Sequence, residues 1–174
     1  MNDQNMVSSV LNNIGSAYKQ LGEYGVAKEY FLQAIQINKT LNNRRNLSYN
    51  YNNLANVFEE TGNLHQALEY QQKSIVLKTD LNDQPMLATS YYNLALIYVK
   101  LDSFAQAKVY ILRSKKLAKQ FKVASIIPLV FSEYSRILAR EDDHQKAYLI
   151  LSELDLYRDS LDLANKEEEI NEME

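Results

Sequence analysis

Cysteine is absent from the 174 residues, so no disulfide, thiolate metal site or thiol nucleophile can be built, and the redox compartment leaves no trace. Glycine occurs four times and proline twice. Few positions therefore break a helix, and the abundance of Leu, Ala, Glu, Lys and Gln favours helix almost throughout. A basic excess is also missing. Nineteen Lys and Arg against twenty-two Asp and Glu give a net charge of −3, which lacks the counterion-release term that drives binding to a phosphate backbone and argues against nucleic acid. Nowhere do eighteen apolar residues run together, and the N-terminal MNDQNMVSSVLNN has neither a basic region nor a long apolar one. A soluble chain is expected, with no membrane insertion in this segment. With 46% apolar and 24% charged residues, it has enough apolar surface to bury a core.

Catalytic chemistry has little to stand on. The two histidines, His65 and His144, fall at the starts of helices, and a metal site needs three or four converging ligands. No glycine-rich phosphate loop and no Gly-x-Ser-x-Gly elbow occurs. Glu59-Glu60 and Asp142-Asp143 read as solvated helix ends rather than acid/base pairs. The sequons at Asn38 and Asn46 read as chance matches in an Asn-rich chain. No enzyme, metal or cofactor is expected.

What is present is a repeat. YNNLANVFEETGNLHQALEY, from Tyr51 to Tyr70, returns forty residues later as YYNLALIYVKLDSFAQAKVY, from Tyr91 to Tyr110, and a fixed internal period points to a repeat architecture. Four registers align without a gap, at about 8–47, 48–87, 88–127 and 128–160. Each opens with a large residue (Leu11, Tyr51, Tyr91, Phe131) and a second three later (Ile14, Leu54, Leu94, Tyr134). A small one follows at once (Gly15, Ala55, Ala95, Ser135), then another large one (Tyr18, Phe58, Tyr98, Leu138). This spacing makes one face of a helix, with room at the small residue for a second helix. A short break follows in each copy, at 21–23, 61–63, 101–103 and 141–143, where Gly22 and Gly62 suit a C′ position and Asn63, Ser103 or Asp143 the next N-cap. The second helix carries Ala27, Ala67, Ala107 and Ala147 at one position, with Phe31, Gln71, Ile111 and Leu151 four later, marking a close helix crossing. Pro85 and Pro128 sit where helices start. Helices are expected at about 6–21, 24–42, 46–61, 64–81, 85–101, 104–121, 127–140 and 144–160.

The series resembles the tetratricopeptide repeat family over about residues 8 to 160, most closely in the first copy, LNNIGSAYKQLGEYGVAKEYFLQAIQINK from Leu11 to Lys39. The period is forty rather than thirty-four, as in the family's kinesin light chain and spindle-orientation variants, and Lys39 stands where a proline is usual. The resemblance implies an all-α, right-handed superhelical solenoid of four antiparallel helix-turn-helix repeats plus a C-terminal helix. It also implies that first helices line the concave side, that Tyr18, Tyr24, Tyr51, Tyr91, Tyr98 and Tyr134 pack in the core, and that Asn13, Asn53 and Asn93 hydrogen-bond between helices. The expected function is a non-catalytic protein–protein interaction module that binds an extended peptide or partner helix in that groove. The groove positions are Asn12, Asn52 and Tyr92, then Ser16, Asn56, Leu96 and Arg136, with Lys19 and Arg140 further along and Tyr49 one turn earlier. Asn12, Asn52 and Asn56 can bond a peptide main chain. Tyr49, Tyr92 and Leu96 offer apolar contacts, and Lys19, Arg136 and Arg140 anchor acidic groups. The Lys, Arg and Asn clamp with which some members hold a C-terminal carboxylate is not evident.

After the last hairpin the chain reads LDLYRDSLDLANKEEEINEME. Leu156, Leu163 and Ile170 recur every seven residues, which suits a C-terminal helix over 161–174 that caps the array or supports a homodimer through a coiled coil. The ending resembles the segment that leaves the repeat array in bacterial sensor histidine kinases and transcription regulators. On that alternative the chain is a signal-input fragment, cytoplasmic or, as a sensor ectodomain, periplasmic.

Overall fold

A computed structural model describes the backbone of residues 2–173 and the side chains of residues 3–160. Within them run eight α-helices and no strand: α1 (Asn2–Gln20), α2 (Tyr24–Thr40), α3 (Arg44–Glu60), α4 (Leu64–Asp80), α5 (Gln84–Lys100), α6 (Phe104–Gln120), α7 (Ile127–Arg140) and α8 (His144–Met173). Each helix packs on the next along the chain, and α1 also touches α3 and α3 touches α5. The result is an all-α solenoid of four helical hairpins. α8 runs unbroken to Met173. Of the seven-residue series, Leu156 is exposed, while the side chains of Leu163 and Ile170 lie outside the described residues.

The turns dictate the period. A residue with positive φ stands at Gly22, Asn42, Gly62, Asn82, Asp102, Lys122 and Asp142, one every twenty residues. At each, the following N–H donates to the carbonyl five residues back, as from Glu23 to Tyr18 and Asn43 to Asn38, over 2.8–3.0 Å. This is the Schellman closure, which satisfies the last carbonyls of a helix and stops it. The turn between copies is thus the same as the turn within them. For that reason α2 ends at Thr40 and α3 begins at Arg44, two residues earlier than the apolar pattern suggests at each point. Only three turns add a side-chain cap, in which Asn43, Asp83 and Asp143 accept from the N–H of Asn46, Met86 and Lys146. Asn63 and Ser103, expected to cap, instead donate back to Thr61 and Leu101. Pro128 sits within the first turn of α7, and the preceding linker is longer than the other turns.

The packing follows the predicted code. Ala27, Ala67 and Ala107 are fully buried and Ala147 nearly so. Two core clusters, one around Phe31, Leu54 and Phe58 and the other around Ile111, Val130 and Phe131, meet across α5. Aromatic pairs clasp the hairpins at one register: Tyr18 stacks on Tyr30, Phe58 on Tyr70 and Tyr98 on Tyr110, with ring centroids 5.5–5.6 Å apart. At Gly15 an added Cβ would lie 2.9 Å from Cε1 of Phe31, whose ring is fully buried. The third copy solves the same crossing with Ala95 and Ile111.

Two stability changes follow. Gly15→Ala gains about 1 kcal/mol of helix propensity but overpacks a sealed ring, a cost of roughly 1–3 kcal/mol. Urea unfolding should show net loss in the wild type and net gain in a Phe31→Ile background, which borrows the third copy's pairing. Lys122→Gly relieves a Cβ in the left-handed region and should stabilise by roughly 1 kcal/mol.

Candidate functional site

Hydrogen-bonded amides tie each first helix to the next. Asn12 on α1 accepts through Oδ1 from Nδ2 of both Asn50 and Asn53 on α3, at 2.9 Å each. Forty residues on, Asn52 Oδ1 accepts from Asn93 Nδ2 on α5 at 3.3 Å and from Gln71 Nε2 on α4 at 3.3 Å, while Asn56 accepts from Asn93 at 3.4 Å. Behind the first bridge, Ser8 donates to Asn38 and Asn38 to Asn50. Behind the second, Lys78 Nζ donates to Ser90 Oγ at 2.7 Å and lies 5.8 Å from the Tyr49 ring centroid. The third junction carries no such bridge, having Ala118 and Val130 at these registers, both fully buried.

In front of the bridges lies a groove. One section, of about 350 Å³, is lined by Lys19, Tyr24, Asn56, Glu59, Glu60, Asn93 and Leu96. The next, of about 520 Å³, shares Glu59, Glu60 and Leu96 with it and adds Val99, Lys100, Asp102, Glu133, Arg136 and Arg140. Most of this lining comes from α1, α3, α5 and α7. Its floor holds two buried carboxylates, each with a cation: Glu59 with Lys100 Nζ at 3.0 Å, and Glu133 with Arg136 Nη1 at 2.7 Å. Burial pushes the Glu59 carboxyl up, against the pull of Lys100. Tyr92 stands between them; burial first, then the charges of Glu133 and Glu59, push its hydroxyl up. A smaller recess at the N-terminal end, about 130 Å³, is lined by Ser8, Ser9, Asn12, Asn13, Asn38, Asn46, Tyr49 and Asn50.

A family model described as tetratricopeptide repeat matches the chain twice, over residues 6–79 and 46–120. The chain belongs to the tetratricopeptide repeat family. No curated protein matches it significantly in sequence. Among solved structures, BtubC (BKLC) from P. vanneervenii superposes with a TM-score of 0.82 at 17% identity, over 91% of this chain and 66% of that one. The apo form of RapI gives 0.82 at 14% identity, over 91% and 44%. A Rap protein complexed with Competence and Sporulation Factor gives 0.81 at 16% identity, over 88% and 43%. At these identities the likeness is one of fold. The chain spans just under two thirds of the length of BtubC and less than half that of either Rap chain.

The expected site residues fall into three groups on this array. Lys19, Asn56, Leu96, Arg136 and Arg140 line the groove. Asn12 and Tyr49 line the N-terminal recess, and Ser16, beside them on α1, donates to the Asn12 carbonyl. Asn52 and Tyr92 belong more to the scaffold: the Asn52 carbonyl oxygen is taken up by its neighbours, and Tyr92 packs on the core around Phe131. Asn53 and Asn93 make the inter-helix bonds expected of that register. Asn13, with no preceding copy, faces the recess. Arg136 is drawn onto Glu133 and Arg140 onto the Phe104 ring, at 5.3 Å. Sequence reading missed Glu133, although it occupies the register of Asn53 and Asn93, and it missed Lys100. Both histidines are exposed. Among the described residues no group of three or more His, Cys, Asp or Glu could hold a metal, and no helix is long and apolar enough to cross a membrane.

Lys78 is the costly member of the array. It is fully buried, pairs with no carboxylate among the described residues, and burial pulls its ammonium down from 10.5 to about 8. The folded chain thus gives up this proton before the unfolded chain does, so stability should rise with pH between about 8 and 10.5 and carry the full penalty below 8. Urea unfolding of wild type and Lys78→Met should differ most at pH 7, with the variant the more stable by roughly 1–3 kcal/mol, and converge near pH 10.

Proposed function

We propose that this array is a non-catalytic protein-binding module whose ligand is an extended peptide or partner helix lying in the groove of the first helices. The observation that carries this reading is the continuity of the groove from Lys19 to Arg140 across α1, α3, α5 and α7, with polar, apolar and charged side chains alternating along it. Asn56 contributes amide hydrogen bonding, Leu96 an apolar contact at the junction of the two sections, and Arg136 and Arg140 exposed cations. A main chain bonded by amides would be held whatever its side chains, and the charges would set register and choice. The Rap structure of the same fold, complexed with Competence and Sporulation Factor, supports a binding role. The alternative, a signal-input domain of a larger histidine kinase or transcription regulator, draws support from α8, which continues unbroken to Met173 beyond the last hairpin.

The test is a screen of an unbiased peptide library against the wild-type chain, with the selected peptides measured against three variants. Asn56→Ala, Leu96→Ala and Arg136→Glu should each weaken binding about tenfold, ~1.4 kcal/mol, with circular dichroism unchanged. Peptides that bind all three as tightly as wild type would move the site out of the groove.

A further inference from the structure

A recess outside the groove carries cations that the chain does not neutralise. About 330 Å³ in volume, it is lined by Thr79 of α4, Gln84 and Tyr91 of α5, and Arg113, Lys116 and Gln120 of α6. None of these residues lines the groove. Tyr91 and the groove residue Asn93, two positions apart, point to opposite sides of α5.

The same recess in the second copy, about 430 Å³, is balanced. There Lys73 pairs with Glu69 at 2.5 Å, and Arg44 beside it pairs with Asp80. Forty residues on, Val109 replaces Glu69, Gln120 replaces Asp80 and Gln84 replaces Arg44, so both acids are gone. Arg113 keeps the cation of Lys73, and Lys116 adds one where Val76 stood. The third copy thus has two cations and no carboxylate where the second has two of each. The acids next in sequence to Thr79 and Gln84 are engaged elsewhere, Asp80 with Arg44 and Asp83 with the Met86 N–H. α6 itself contains five cations and no acid. Lys108, Lys115 and Lys119 reach Glu141 and Glu153, whereas Arg113 and Lys116 pair with no carboxylate among the described residues.

Both unpaired cations are exposed, and Arg113 is held in place. Its guanidinium lies 5.9 Å from the Tyr91 ring centroid and 5.3 Å from that of Tyr110, a stack that leaves its N–H groups free for an oxyanion. Apolar surface adjoins it. Leu87 and Leu117 also line the recess, while Val109 and Leu112 on the outer face of α6 are 47% and 42% exposed.

We infer that this recess and the outer face of α6 dock an acidic amphipathic segment of a partner protein. Arg113 and Lys116 bond its carboxylates, and Leu87, Leu112 and Leu117 take its apolar side chains. Cations three residues apart on one helix have Cβ atoms about 5–6 Å apart, which matches carboxylates on successive turns of a partner helix. A nucleic-acid backbone fits less well, because Glu141 and Glu153 interrupt the basic face and the chain carries a net charge of −3. The surface is separate from the groove and does not depend on what the groove binds.

Fluorescence anisotropy at low salt tests this on the 174-residue chain, with a labelled helical peptide that repeats Leu-Glu-Glu-Leu. Wild type should bind it, more weakly as salt rises, and should bind a Leu-Gln-Gln-Leu counterpart at least about tenfold less tightly. Val109→Glu restores the second copy's acid four residues before the cation, and Lys116→Val restores its valine. Both positions are exposed, so circular dichroism should not change, and each variant should weaken binding about tenfold. Four results would overturn the inference: no binding by wild type, equal binding of the glutamine peptide, tighter binding when phosphoserine replaces the glutamates, or loss of binding in Arg136→Glu with Val109→Glu and Lys116→Val both silent, which would place the peptide in the groove.

Discussion

A left-handed residue every twenty positions is the constraint on which the rest of this solenoid depends. It closes each helix with the same pair of hydrogen bonds and fixes α2 to α6 at one length. Equal length makes side chains forty residues apart meet equivalent neighbours. Only then can a small residue opposite a large one, or an aromatic pair across a hairpin, be written once and copied. The first copy meets this constraint with Gly15 under Phe31, where no Cβ fits. Later copies trade volume between the two sides.

On that frame the junctions grade from polar to apolar. The first is bridged by Ser8, Asn38, Asn50, Asn12 and Asn53, the second by Lys78, Ser90, Asn52 and Asn93, and the third is closed by Ala118, Val130 and Phe131. Buried polar bridges contribute little net stability but demand one geometry, because a misplaced amide would lose its partners. They hold the first helices in register, and the groove is the surface those helices share.

Much of the architecture was legible in the sequence because large side chains, small side chains and turn residues all carry one period. Helix ends were less so. Asn42 and Asn82 adopt the same conformation as Gly22 and Gly62, yet an Asn among many reads as an ordinary polar residue. In the groove, the register implied by the family resemblance places Asn56, Leu96, Arg136 and Arg140 along one surface. It could not separate an amide facing a ligand from one facing a neighbouring helix, since Asn52 and Asn56 lie one turn apart on the same face. Glu59, expected as a solvated helix end, is instead buried on the floor with Lys100 across α3 and α5, and Glu133 shares the register of Asn53 and Asn93, where a carboxylate gives no sign of burial.

The central claim is that the amides at Asn52 and Asn93 hold the scaffold. A double-mutant cycle on unfolding free energy tests it most directly, with Asn52→Ala, Asn93→Ala and the pair. A half-buried side-chain hydrogen bond predicts a coupling of roughly 0.5–1 kcal/mol, because after either single change Asn52 keeps Gln71 and Asn93 keeps Asn56 as further partners. Strictly additive losses would show that the bridge does not hold the helices together, and the division between scaffold and groove would fall with it.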